Sequence, residues 1–141
     1  MPIAQGQCTI FKYNLLSGLE NFTATSPYTY KIALYTGLAN LNNQTLAYTT
    51  QNEVVGTGYT AGGKTLTIVP VQTDPVTNTA YWSFQNVTWS GSSFTARGAL
   101  IYNSNTGAAV AVLDFGSDKT SSNFTITFPA DTATTAVLRL Q

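Results

Sequence analysis

The chain has 141 residues, 43% of them apolar and only 9% charged, with six basic side chains balancing six acidic ones and no histidine. The charge balance excludes a broad basic face for a phosphate backbone, and the missing histidine removes the commonest general base and metal ligand. The lone cysteine, Cys8, excludes an intrachain disulfide or a thiolate metal cluster.

Threonine, asparagine and serine take surface positions that lysine and glutamate usually hold. A globular domain averages roughly 25% charged residues, and threonine suits exposed strands better than helices. Low net charge also leaves little repulsion between copies, which favours association. No apolar run approaches the roughly 20 residues that span a bilayer. The start, Met1 to Gln7, lacks the basic and apolar regions of a signal peptide, so cytosolic synthesis is expected.

Residues 1–8 are polar and without period, and read as an N-terminal arm. Thr9 to Gly18 is the only helix candidate: Thr9 can cap it, Phe11, Leu15 and Leu16 can form its apolar stripe, and Gly18 can end it. Tyr28 to Thr36 is the densest β-prone run of the N-terminal half. Its period of two places Tyr30, Ile32, Leu34 and Thr36 on one face and Lys31, Ala33 and Tyr35 on the other. Gly37 to Thr50 reads as a long loop, and the glycines of Asn52 to Gly63 predict turns or close backbone approach.

Lys64 to Val71 alternates as a strand, with Pro70 placing it at an edge or ending it. Asp74 to Thr79 is a turn. Ala80 to Phe84 and Asn86 to Trp89 are short strands, and Ser90 to Ser93 turns the chain again. Phe94 to Tyr102 and Ala108 to Phe115 form a β-hairpin across Asn103 to Gly107. Asn123 to Pro129 and Thr135 to Leu140 complete the set. Strands every 8–15 residues with one short helix predict an all-β fold, an antiparallel β-sandwich or partly open barrel. The expected division is an arm over 1–8 and a single β-sandwich domain over 9–141.

Chemical motifs are weak. Asp114-Phe115-Gly116 spells a kinase metal-binding triad, but the histidine of a kinase catalytic loop is missing. Gly56-Thr57-Gly58-Tyr59-Thr60-Ala61 spells a dinucleotide fingerprint, yet it precedes a strand rather than opening the helix that fingerprint needs. Asn-x-Thr sequons at Asn21, Asn43, Asn86 and Asn123 are expected by chance in so Asn- and Thr-rich a chain. The serines have no histidine partner, and nothing brings two of Glu53, Asp74, Asp114, Asp118 and Asp131 together for acid–base work. No enzymatic activity, cofactor or metal is expected.

Arg97, inside an apolar strand, is costly unless paired. Glu53 and Asp114 are its candidate partners in a structural ion pair. Tyr28, Tyr30, Tyr35, Tyr59, Tyr81, Trp82, Trp89 and Tyr102 are expected mainly in the core, with some at an interface. A carbohydrate-binding module would instead present Trp82 or Trp89 for stacking on sugars.

Several segments resemble a widespread family of small tailed-phage proteins. They are Lys31 to Thr36, Asn52 to Leu66, Val87 to Ser90, Thr95 to Tyr102 and Val112 to Lys119, and the resemblance covers roughly residues 9–140. It implies a non-enzymatic virion structural protein, made in the host cytoplasm, with capsid decoration (cement) as the first assignment. A tail, neck or fibre component is the alternative within the virion. The partners implied are other virion proteins, the major capsid protein first, and further copies in a homo-oligomer, with neither nucleic acid nor membrane. The expected contact surfaces are the arm and the loop over 37–52, with Pro2, Ile3, Gln5, Leu38, Leu41 and Tyr48 as interface residues together with Trp89.

Overall fold

A computed structural model describes residues 3–140. In chain order the elements are β1 (Gly6–Gln7), α1 (Thr9–Leu16), β2 (Tyr30–Tyr35), β3 (Lys64–Thr65), β4 (Ile68–Asp74), β5 (Thr79–Phe84), β6 (Val87–Ser90), β7 (Thr95–Asn103), β8 (Ala109–Thr120), β9 (Asn123–Ile126) and β10 (Leu138–Leu140). The fold is all-β and sandwich-like with one short N-terminal helix. Its strands form a five-stranded sheet β1-β8-β7-β2-β3, a three-stranded sheet β10-β5-β4 and a two-stranded ribbon β6-β9. Every strand pairing is antiparallel.

β2 is an interior strand, paired from Tyr30↔Asn103 to Tyr35↔Gly98 along β7 and with β3 on its other side. The period-of-two reading buries one face, but Ala33 and Tyr35 are as fully buried as Ile32 and Leu34. Both faces are covered. On one of them Phe22 lies between the two large sheets, its ring 4.6 Å from Tyr30 of β2 and 4.6 Å from Trp82 of β5. Phe11, Phe84 and Phe128 extend that aromatic layer, and each fully buried ring of this kind contributes about 1.5–3 kcal/mol. Trp89 of β6 and Phe124 of β9 form a second aromatic group with Phe94 and Tyr59.

Several boundaries differ from the sequence reading. The stretch Lys64 to Val71 is two strands, because the chain passes from the five-stranded sheet (β3) to the edge of the three-stranded one (β4) through Leu66 and Thr67. Pro70 does sit on an edge strand, inside a register shift between Val69 and Gln72 where its missing N–H is tolerated. β8 runs on to Thr120 instead of stopping at Phe115, since Lys119 and Thr120 pair with Ala96 and Thr95 of β7. The last strand is only Leu138–Leu140, paired with β5.

The helix starts one residue after Cys8, which occupies the N-cap position without a side-chain cap bond, so Thr9 is helical rather than capping. Phe11 is buried and Leu15 half-buried, but Leu16 points out to solvent, 88% exposed. The segment read as a free arm is, over its described residues, part of the sheet. Gly6 and Gln7 pair with Val112 and Ala111, Ile3 bridges to Leu41, and the Cys8 N–H donates to the Val110 carbonyl at 2.9 Å.

Candidate docking surface

The residues singled out from sequence fall into three physical settings. Ile3, Leu41 and Trp89 are buried at 3%, 1% and 1% exposure, so these three interface candidates are core residues of the chain's own fold. The reason for Ile3 is local: its side chain lies over Gly98, where a Cβ would come within 2.9 Å of the Ile3 Cδ1 and 2.6 Å of the Leu113 carbonyl oxygen. Glycine at that point of β7 makes the seat. Pro2 lies outside the described residues.

Gln5 closes a strand edge. An edge strand presents unpaired N–H and C=O groups that invite another chain, and β1 covers only the beginning of β8. Just beyond it the Asp114 N–H donates to Gln5 Oε1 at 3.1 Å, and the Gly116 N–H donates to Asp114 Oδ1 at 2.9 Å. Arg97 Nε lies 3.2 Å from that same oxygen, with both side chains about a third exposed (30% and 27%). Asp114 is thus the partner of Arg97, and the carboxyl is held below the usual carboxylate range by the Gly116 N–H and by Arg97. The Asp-Phe-Gly spelling serves to cap an edge.

Glu53 is not within the Arg97 pair. It is 7% exposed, and neutral donors surround its carboxylate: Tyr59 Oη and the Gly62 N–H donate to Oε1 at 2.6 and 2.7 Å, and Tyr48 Oη donates to Oε2 at 2.6 Å. Tyr59 Oη also accepts from the Leu34 N–H at 2.9 Å, and Tyr48 stacks on Tyr102 at 4.7 Å. Burial, followed by the hydrogen bond to Glu53, raises the pKa of both phenols, so they remain donors at any ordinary pH. The Gly-rich segment is therefore folded back on β2. Gly63 completes this, with φ +78 and a backbone so close that a Cβ would overlap the Ile32 carbonyl. Tyr48, another interface candidate, belongs to this clamp.

Leu38 remains on the surface, 80% exposed, in the loop after β2. A second exposed apolar group lies on the helix, against the expectation of an inward stripe that includes Leu16. Tyr13 (65%), Leu16 (88%) and Leu19 (49%) are all exposed. Positions three apart on a helix are neighbours, so Tyr13 and Leu16 share the face opposite Phe11. The Leu19 N–H donates to the Asn14 carbonyl at 2.8 Å, keeping it at the helix end.

Leu46, Val55, Val71, Val76 and Leu140 are exposed apolar side chains as well, and elsewhere the surface is threonine-rich. Thr88 pairs with Thr125 and Thr95 with Thr120 across strands, at 2.8 and 2.7 Å between hydroxyls. An open groove of about 660 Å³ runs between β8 and β9, lined by Leu113, Phe115, Phe128 and Pro129 among others. Both tryptophans are buried, Trp82 at 3% and Trp89 at 1%, so neither offers a ring face to a sugar. Cys8 is fully enclosed, and burial pushes its thiol up to about 11. No helix of the described residues is long and apolar enough to cross a membrane. The chain matches no known protein family, no curated protein and no solved structure.

Proposed function

We propose that this protein is a non-enzymatic structural subunit that docks on neighbouring subunits of a larger shell. In the specific form the resemblance implies, it is a decoration protein on a tailed-phage capsid. The observation that carries the docking reading is the apolar group Tyr13, Leu16 and Leu19, held in water at the end of a helix whose other face is anchored in the core. A solvent-exposed leucine is common on its own. Three large apolar side chains together on a short, well-anchored element are a surface suited to burial against a partner.

The neutral, threonine-rich surface supports the same reading, since it brings copies together with little charge repulsion. The occupant of the patch is a subunit of the shell, with the major capsid protein as first choice. The loop carrying exposed Leu38 offers a further contact toward a second copy.

The test is co-sedimentation of purified protein with capsids that lack it, comparing the native chain with Leu16→Ser and with Tyr13→Ser/Leu16→Ser. Both positions are exposed, so the variants keep the fold. Pelleting of the native chain and loss of pelleting in the double variant is the expected result. Equal pelleting of all three would place the contact elsewhere, and no pelleting of the native chain would end the capsid reading.

A further inference from the structure

Glu20 lies in the segment between α1 and β2 and is 8% exposed, nearly as buried as Glu53. Its surroundings are different. Oε1 accepts from Asn103 Nδ2 at 2.8 Å and from Tyr30 Oη at 3.2 Å, whereas Oε2 is buried with no hydrogen-bond partner in the protein. Glu53 has donors on both oxygens; Glu20 has them on one. No cation offsets the charge, and among the described residues the one ion pair is Arg97 with Asp114.

The groups facing Glu20 are Tyr30 from β2 and neutral Asn103 from the end of β7, and Tyr28 lies near the Tyr30 phenol. Burial raises the pKa of the Tyr30 phenol, so it stays a neutral donor. Around this carboxyl the segment over 17–29 is tied to the end of the five-stranded sheet. The Asn21 N–H donates to Tyr30 Oη at 3.2 Å, the Thr29 N–H to Asn105 Oδ1 at 2.7 Å, and the Ser104 N–H to the Thr29 carbonyl at 2.8 Å. Glu20 links that segment to β2 and to the end of β7.

We propose that Glu20 is an acid-operated latch: proton uptake by its carboxyl tightens the closure of residues 17–29 over the end of the sheet, and proton release loosens it. A buried carboxylate with one unsatisfied oxygen pays a desolvation cost that the neutral acid largely avoids, while the neutral acid keeps a lone pair for Asn103 and Tyr30. Burial correspondingly raises the Glu20 pKa above its ordinary value. The group binds its proton more tightly folded than unfolded. Its contribution to stability is therefore complete below the unfolded value, about 4.3, and is lost as pH rises through the folded value. Leu19 adjoins Glu20, so the latch also sets how firmly that one of the proposed docking residues is held, a consequence that alone rests on the docking reading.

The experiment compares the melting temperature of the native chain and of Glu20→Gln between pH 4.5 and pH 8, with the Glu20 side-chain carbon followed by NMR in the native chain. The amide stands in for the neutral acid. As pH rises from 4.5 to 8, the native chain is expected to lose melting temperature relative to Glu20→Gln, and the NMR midpoint is expected above 4.5. A constant difference across that range overturns the latch. So does an NMR midpoint at or below the ordinary glutamate value, which decides the matter even if Glu20→Gln fails to fold.

Discussion

Replacing Glu53 by alanine removes the common acceptor of Tyr48, Tyr59 and the Gly62 N–H. Tyr48 is half-buried and can turn its hydroxyl to water, so its loss is small. Tyr59 sits further in and Gly62 is half-buried, and each such donor left without an acceptor costs about 1–3 kcal/mol. The sum, about 2–6 kcal/mol, is a large part of the 5–15 kcal/mol that holds a typical domain folded. With a urea m-value of about 2 kcal/mol/M, the unfolding midpoint should fall by about 2 M, read from tryptophan fluorescence. Glu53→Gln keeps the shape but turns an amide NH₂ toward one of the donors, and should cost about 1–2 kcal/mol. Amide exchange at Leu34 and Gly62 should accelerate in the alanine variant. A cost below about 1 kcal/mol for Glu53→Ala would show that the Gly-rich segment is held on β2 by something else.

Ile3→Ala empties the seat over Gly98 and should cost about 2–4 kcal/mol, with faster amide exchange along β1 and at Asp114; an unchanged melting curve would mean the N-terminal segment adds nothing to the fold. Arg97→Ala removes a partly exposed pair and should cost at most about 1 kcal/mol at neutral pH. The folded Asp114 pKa is depressed, so the pair's stability is present above the unfolded value and lost as pH falls through the folded one. The difference between native chain and variant should therefore vanish in strong acid, and a difference that persists there would assign Arg97 another role.

The local signals in the chain were readable and the long-range pairings were not. The turn at Asn103 to Gly107 with its flanking apolar runs was enough to find the β7–β8 hairpin. The helix was placed within a residue or two of its observed Thr9–Leu16 span, because an apolar stripe and a terminating glycine are local features. The split of Lys64 to Val71 into β3 and β4 depends on which strands lie alongside, Ile32 for Lys64 and Phe84 for Ile68. Nothing within the segment encodes that. β8 looked finished at Phe115 because Gly116, at φ +80, and the charged pair Asp118 and Lys119 resemble a turn. Pairing with Thr95 and Ala96 extends it regardless.

Site residues followed the same division. Asp114 was found for Arg97 because both lie in one recognisable hairpin. The sequence offers Glu53 as a second partner for Arg97 and as one of five scattered carboxylates, although tyrosines five residues before it and six after it are its real donors. Glu20 carried no signal at all, since its partner Asn103 is 83 residues away. Ile3 and Leu41 looked like surface residues of an arm and a loop. Their burial depends on a bridge between them that only the folded chain brings about.

The most direct test of the docking claim is imaging by electron cryomicroscopy of capsids decorated with the purified protein, at a resolution that places side chains. The structure-based expectation is one regular density per lattice position, with Tyr13, Leu16 and Leu19 buried against a capsid subunit. Particles that bind the protein with this helix face still in water, or that do not bind it at all, would contradict it.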